Sequence, residues 1–392
     1  MKITIVTDHR FFRKGHSVYD DYVFNYDFFK TYLKVFDEIQ VVARVKNVQS
    51  INPNWSVSNG DNVSFIDIPD IHGFKWLFFS SKYFKLKKAE ILSTDCFCFR
   101  VPSHAAWIVY KLNSNKKAYM FESIGDPEDA MASSDDGMIK RSIFKIVGRL
   151  LKRRKQKITL HSNLGSYVSI NHLQHKYPVK RDVLTESISS IRLDKSNFLT
   201  NPKQFGSKTI KIVHVGSFIS LKNQKDLIQC VHKLSKVFDV RLDLIGDGIL
   251  KNHCFTLAQQ LNISEIVTFH GQVTGFNKIK AILDDSTFFV LPSSNEGMPR
   301  ALIEAMARGL ICFGSSVGGI AELLSKEFTF TPGNIDEMYS LIYNFIEKTP
   351  KADYLLISKE NVKKVDRFEL GILESKRIKL MKELKKITYE KS

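Results

Sequence analysis

The sequence predicts an α/β protein made of two doubly wound, Rossmann-like domains, and three observations carry that prediction. Short β-branched runs alternate with helical patterns from Lys2 to about residue 187. A polar, aperiodic stretch follows at residues 187–208, SISSIRLDKSNFLTNPKQFGSK. The alternation then restarts at TIKIVHVGS. Strands that alternate with helices belong in parallel sheets with helices on both faces.

KITIVTD, residues 2–8, is a short strand that closes in a polar turn. Val23–Phe36 has helical periodicity, and Glu38–Val45 is a second strand. Further strands are expected at Asp61–Ile68, Cys96–Val101, Lys117–Phe121 and Lys157–His161. Ser, Asn, Pro, Gly and Lys dominate the linker, so the domains are expected at residues 1–200 and 201–373. In the second, helices at Asn223–Phe238, Leu250–Leu261 and Phe276–Leu283 separate the strands TIKIVHVGS, VRLDLIGDG, IVTFHG and STFFVLPS. From Asn334 the chain is mostly helical. Its last part, residues 374–392, sets Ile378, Met381 and Leu384 at helical spacing and is expected to pack back on the first domain.

The 392 residues are 43% hydrophobic and 25% charged, as in ordinary globular proteins, but 58 Lys+Arg against 41 Asp+Glu leave a net charge of +17. That excess points to an anionic partner: nucleic acid, an anionic membrane face or a phosphorylated substrate. No nucleic-acid-binding signature supports the first, and aromatic residues do not interleave with the basic run. Five cysteines, with Cys96 and Cys98 on one strand and no second ligand pair, form neither a disulfide framework nor a zinc pattern. The apolar part of MKITIVTDH is too short for a leader, and no run nears the roughly 18 apolar residues of a membrane span. A cytoplasmic protein is expected, with peripheral contact on the inner membrane face.

That contact would come from Ile139–Lys157, which holds nine Lys/Arg and no acid. Ile139, Ile143, Ile146, Val147, Leu150 and Leu151 form one apolar stripe opposite the charges. Such a helix either lies in an anionic membrane interface or packs its stripe on the first domain with a solvated basic face.

The segment SSNEGMPRALIEAMARGLICFGSSVGG, residues 293–319, carries the clearest chemistry. Pro299 suits the first turn of a helix and Gly309 its stop. The amides of Gly297, Met298 and Arg300 open at the helix mouth and can hold an anion. Glu296 and Glu304, eight positions apart, need hydroxyl partners beside that anion site. A sugar nucleotide supplies both: Glu304 would take ribose hydroxyls and Glu296 would face the donor sugar. Taken alone, the two glutamates could equally be helix N-terminal acids favoured by the dipole.

EGMPRALIEAMARGLICFGSSVGGIAEL resembles the signature of the retaining GT-B glycosyltransferases of family GT4. The match covers both glutamates, the Gly-x-Pro corner, the Gly stop and the Gly-Gly turn before Glu322. Upstream, VHVGSFISLKNQKDL is similar to the family's diphosphate-binding segment. Gly216 and Lys222 hold their expected positions, while Ser217 stands where the family usually has Arg. Gly246, Asp247 and Gly248 end a strand in the family's manner. In the first half, HRFFRKGHSVYDD has only Gly15 and no paired glycine for the loop that in relatives touches the diphosphate, with Gly15, His16 and Ser17 as its candidates. The strand ends RVPSHAA and YMFESIGDP offer His104, Glu122 and Asp126 for an acceptor hydroxyl.

The resemblance implies a GT-B fold, two domains facing a cleft, with the donor on the second. It implies retaining transfer of a hexose from a UDP- or GDP-linked sugar to a glycan or lipid-linked acceptor of bacterial surface polysaccharide. The leaving phosphate would take the acceptor's proton, with Glu296, Asp126 and His104 positioning groups. Neither metal nor cofactor is implied; Asp135-Asp136 lies in a polar segment ill suited to a diphosphate-bound cation. The rival readings are a sugar-nucleotide epimerase on the same fold and, more weakly, a basic nucleic-acid-binding protein.

Overall fold

The computed structural model describes residues 1–391 except Tyr22, 129–137, Pro202 and Thr274, and the side chains of 138–141. The chain forms two compact units. One comprises the described residues of 1–188 together with 374–391, and the other residues 189–373.

The first unit runs β1 (Lys2–Lys14), β2 (Ser17–Asp20), α1 (Tyr26–Leu33), β3 (Glu38–Asn47), β4 (Ser56–Val57) and β5 (Val63–Pro69). It continues with α2 (Gly73–Phe79), α3 (Ser81–Leu86), α4 (Lys88–Leu92), β6 (Cys96–Val101), α5 (His104–Leu112) and β7 (Tyr119–Ser123). α6 (Met138–Leu160), β8 (Leu164–Tyr167), α7 (His172–Lys176) and β9 (Leu184–Ser187) complete it. The parallel strands lie in the order β5–β3–β1–β6–β7–β8–β9, and β2 and β4 extend the sheet as an antiparallel flap. All five cysteines are free and buried.

Two sequence expectations change here. The first strand does not turn at Asp8. Its register against β3 slips between Val6 and Arg10, and it runs on to Lys14, burying Phe11 before folding back as β2. Lys157–His161 is not a strand but lies at the end of α6. Ile158 is fully buried there and its carbonyl accepts the Tyr119 hydroxyl at 2.9 Å, so tertiary packing overrides β-branched propensity. The strand comes instead at β8.

The second unit runs β10 (Ile210–Val215), α8 (Gln224–Leu234), β11 (Val240–Ile245), α9 (Lys251–Gln260), β12 (Val267–Gly271) and α10 (Phe276–Asp285). Then come β13 (Phe288–Leu291), α11 (Arg300–Ala307), β14 (Ile311–Ser315), α12 (Gly318–Leu323), β15 (Thr329–Phe330), α13 (Ile335–Lys348) and α14 (Lys351–Val365). Its parallel order is β12–β11–β10–β13–β14–β15. Strand order reverses between β10 and β13, and ligands of such sheets gather at the carboxyl ends of the strands there. Part of the aperiodic stretch lies on this unit: the Leu199 amide donates to Ala307 O at 2.8 Å and Arg308 to Asn197 O at 2.8 Å.

A last helix, α15 (Leu370–Lys391), buries Leu380, Met381 and Leu384. Within the first unit its Lys385 donates to Val35 O at 2.8 Å, and Arg377 reaches Glu122.

Candidate active site

In the second unit the carboxyl ends of β10 and β13 carry the residues singled out by sequence. After β13 the chain turns through Ser293–Pro299 into α11. Leu302, Ile303, Ala305 and Met306 bury that helix against the sheet, and Gly309, at φ +70°, ends it. The Ser293 hydroxyl donates to Glu296 Oε1 at 2.7 Å, and the Ser293 carbonyl accepts the Ser315 hydroxyl of β14. The Lys222 ammonium pairs directly with Glu296. Sequence reasoning gave these two residues separate duties on a ligand; the structure joins them. Their side chains are only 21% and 10% exposed, so the pair is screened less by water and salt than a surface ion pair.

The Gly318–Gly319 turn has a steric cause. The Gly319 amide donates to Glu296 O at 3.1 Å, and a Cβ on Gly318 would stand 2.0 Å from that same oxygen. Gly318 also has φ +41°. Only glycine lets this turn abut the Glu296 loop.

Gly216 follows β10, and the Ser217 carbonyl accepts the Gln224 side-chain amide at 2.9 Å. A Cβ on Gly246 would lie 2.1 Å from Gly216 O, so that glycine lets the neighbouring strand end approach the loop. Lys222 sits in a 3₁₀ turn that Asn223 closes in the left-handed conformation. Beneath the loop lies His214, fully buried, its Nδ1 2.9 Å from Val290 O. Burial drives its pKa down to about 4, so it is neutral, and it ties β10 to β13 where the sheet reverses. Sequence reasoning missed His214; its one signal is a polar residue at an inward position of an apolar strand.

Farther along α11, burial pushes Glu304 up to about 7, against the opposing pull of Arg300. Burial also lowers Arg300. The sign follows from the proton count. Between its ordinary 4.5 and 7 the folded chain keeps a proton that the unfolded chain has lost, so this group makes stability fall as pH rises through that window. Glu304→Gln should remove that fall. Its melting temperature should gain on the parent between pH 5 and pH 8. A parallel pH profile in the two proteins would refute the assignment.

The first-unit candidates occupy separate networks. His104 opens α5, whose first amides are capped by Asp8: His104 N at 2.6 Å and Ala105 N at 2.9 Å. Its ring Nδ1 lies 2.6 Å from Arg154 Nη1, and burial with that guanidinium drives the pKa down to about 4. Asp126 accepts from Glu128 N at 2.8 Å and from the Tyr177 hydroxyl at 2.9 Å, and pairs with Lys176. Burial alone would raise its pKa; these partners hold it below the ordinary value. Glu122 is not open to an acceptor: it is 5% exposed, and Arg100, Arg377 and Tyr32 enclose it. Gly15, at φ +59°, is a turn residue of the β1–β2 hairpin, which accounts for the glycine. Asp135-Asp136 lies outside the described residues. Among those described, His9, Asp20 and Asp21 bring ligating atoms within 4.8 Å of one another, and His9 is already bonded to Asp20.

The basic helix leaves part of its apolar stripe uncovered. Ile143, Ile146 and Leu150 are 37%, 65% and 42% exposed, so these residues of the stripe are not packed on the domain. Three of its cations turn inward, while Lys145, Arg149, Arg153 and Lys157 are exposed. Lys152 pairs with Glu128 at 2.7 Å, Arg154 meets His104, and Lys155 is buried, donating to Gly125 O at 2.6 Å with its ammonium 3.7 Å from the Tyr177 ring centroid. Among the described residues no helix is long and apolar enough to cross a membrane.

The family described as glycosyl transferases group 1 matches residues 196–362. CapJ of Staphylococcus aureus is 28% identical over 374 residues, covering 93% of this chain and 91% of that protein. The lipopolysaccharide 1,6-galactosyltransferase of Escherichia coli is 22% identical over 203 residues, 47% of this chain and 55% of that one. Among solved structures, Anabaena HepE in complex with UDP superposes with a TM-score of 0.65 at 14% identity, covering 97% of this chain and 99% of that one. The fold is GT-B.

Proposed function

We propose, from the premise that this chain is a GT-B glycosyltransferase with a group 1 domain, that it transfers a hexose with retention from a UDP- or GDP-linked donor. The acceptor is a glycan or lipid-linked sugar in bacterial surface polysaccharide synthesis, in keeping with the lipopolysaccharide galactosyltransferase among its relatives. The observation that carries the reading is the Lys222–Glu296 pair at the reversal point of the second sheet, beside the open end of α11.

In this reading the donor diphosphate meets Lys222, the amides that follow Gly216, and the mouth of α11 at Gly297, Met298 and Arg300. Ser217 adds a neutral hydrogen bond where an arginine would add a charged fork. Lys222 is shared between phosphate and Glu296, and Glu296 turns its second oxygen to the donor sugar. Glu304 takes the ribose hydroxyls. His104 and Asp126 are the acceptor-side candidates, acting by position rather than as nucleophiles. The leaving phosphate oxygen accepts the acceptor's proton, so the protein orients the partners and stabilises the departing diphosphate. No metal or cofactor takes part. A lipid-linked acceptor would put the enzyme on an anionic membrane face, for which residues 139–157 are the sequence's candidate.

The test is a thermal-shift screen with UDP- and GDP-hexoses, followed by turnover on a lipid-linked acceptor with and without EDTA. Stabilisation by one donor class and EDTA-insensitive transfer support the reading. Conversion of donor without acceptor would replace it with the epimerase. Lys222→Ala should weaken donor binding more than one lysine usually does, because Ser217 provides no second cation. Ser217→Arg added to that variant should restore part of the affinity. Unchanged donor binding in Lys222→Ala would remove Lys222 from the diphosphate.

A further inference from the structure

Helices α2 and α3 bury Trp76 and Phe84 but leave Phe74 48%, Phe78 72%, Phe79 63% and Leu86 82% exposed. Single exposed apolar residues are ordinary; four large ones within thirteen residues are not. Lys75, Lys82, Lys85, Lys87 and Lys88 surround them, and no acid occurs between Gly73 and Ala89. On α6 the exposed Ile146 and Leu150 stand beside the exposed Lys145, Arg149 and Arg153.

A cavity of about 190 Å³ joins these elements, with Ser81 and Lys85 from α3, His104, Trp107 and Lys111 from α5, and Arg154 from α6 in its wall. Three cations and no carboxylate line it. Arg154 donates to His104 Nδ1, so the ring proton sits on Nε2, which is buried and has no partner.

We propose that this surface docks on an anionic lipid bilayer, with Phe78, Phe79 and Leu86 entering the interface and a lipid headgroup phosphate occupying the cavity. Aromatic and aliphatic side chains rimmed by lysines match such an interface in both polarity and charge. A second copy of the chain is a poor occupant, because each copy carries +17 and the patch itself is basic. The inference deepens the lipid-linked-acceptor reading but rests on its own geometry, and donor binding enters its test only as a control.

The experiment is co-sedimentation with vesicles of phosphatidylcholine alone and of phosphatidylcholine with phosphatidylglycerol. The parent should bind only the anionic vesicles, and added salt should weaken binding. Phe78→Ser with Phe79→Ser should lower the bound fraction about tenfold or more, and Lys85→Gln with Lys111→Gln should narrow the preference for the anionic lipid by about tenfold. Circular dichroism and donor-induced thermal shift should stay at parental values in both variants. Absence of parental binding, or unchanged binding in both variants, would overturn the proposal. So would a serine variant that binds vesicles normally but changes oligomeric state by light scattering, since the patch would then be a self-association surface.

Discussion

Replacing Glu296 with glutamine should lower the turnover number about 10- to 150-fold, the equivalent of one charge-assisted hydrogen bond of roughly 1.5–3 kcal/mol in the transition state. The structure sharpens what else should change. In the parent, Glu296 holds the Lys222 ammonium and accepts from Ser293. Glutamine keeps an acceptor for the Ser293 hydroxyl but gives up the charge, which frees Lys222 for the diphosphate. The donor KM should therefore stay level or fall while kcat drops, the opposite of Lys222→Ala, where the loss should appear as raised donor KM. Unfolding should change little, because a partly exposed ion pair contributes modestly. Near-parental turnover would remove Glu296 from the chemistry, and a raised KM with unchanged kcat would make it a simple binding residue.

What the sequence revealed depends on range. The second unit was legible because its signals are local: the Gly-Met-Pro corner, a run of small helical residues and a Gly-Gly turn lie within about thirty residues. The cause of that glycine pair is also local, the closeness of Gly318 to Glu296 O. The link between Lys222 and Glu296 was not legible, since 74 residues separate them and only the sheet brings β10 beside β13. His214 was hidden for the same reason, its partner Val290 belonging to the next strand. The basic helix stayed ambiguous because periodicity gives an amphipathic face without saying which face the protein covers. There Lys152, Arg154 and Lys155 are held by Glu128, His104 and Tyr177, while Lys145, Arg149 and Arg153 stay exposed beside Ile146 and Leu150. Substitutions at Lys152–Lys155 would thus disturb the first unit's packing, and the exposed residues of α2 and α3 are the cleaner membrane test.

Glu122 shows the cost of reading a strand end as a site, and it gives the largest expected loss of stability. It lies at the carboxyl end of β7, where an acceptor residue was expected, yet its carboxylate is enclosed. Tyr32 donates to Oε1 at 2.6 Å, Arg100 pairs with Oε2, and Arg377 of α15 lies 3.5 Å from Oε1. Burial alone would raise this carboxyl's pKa, but the two guanidinium groups and the tyrosine hydroxyl outweigh it and hold it below the ordinary value. Phe24 and Phe28 stack against Arg100, and Phe28 also against Arg377, so both cations are largely shielded from water. Glu122→Ala would leave both charges without their shared counter-ion, which costs about 3–5 kcal/mol when one partner of a buried pair is removed. That is a large share of the roughly 5–15 kcal/mol that holds a domain folded. Because Arg377 is carried by α15, the first visible consequence should be proteolytic cleavage within residues 374–391. Arg377→Met should cost less, since it leaves Glu122 paired with Arg100 and removes a charge instead of stranding one. The proton count sets the pH signature: a carboxyl held below its ordinary pKa stabilises the fold above that ordinary value, and the contribution fades as pH falls through the lowered one. Glu122→Gln should therefore lose stability at pH 7 and converge on the parent in acid. Denaturant unfolding at the two pH values measures this directly, and a difference from the parent that does not shrink on acidification would show that the charge network is not what holds α15 in place.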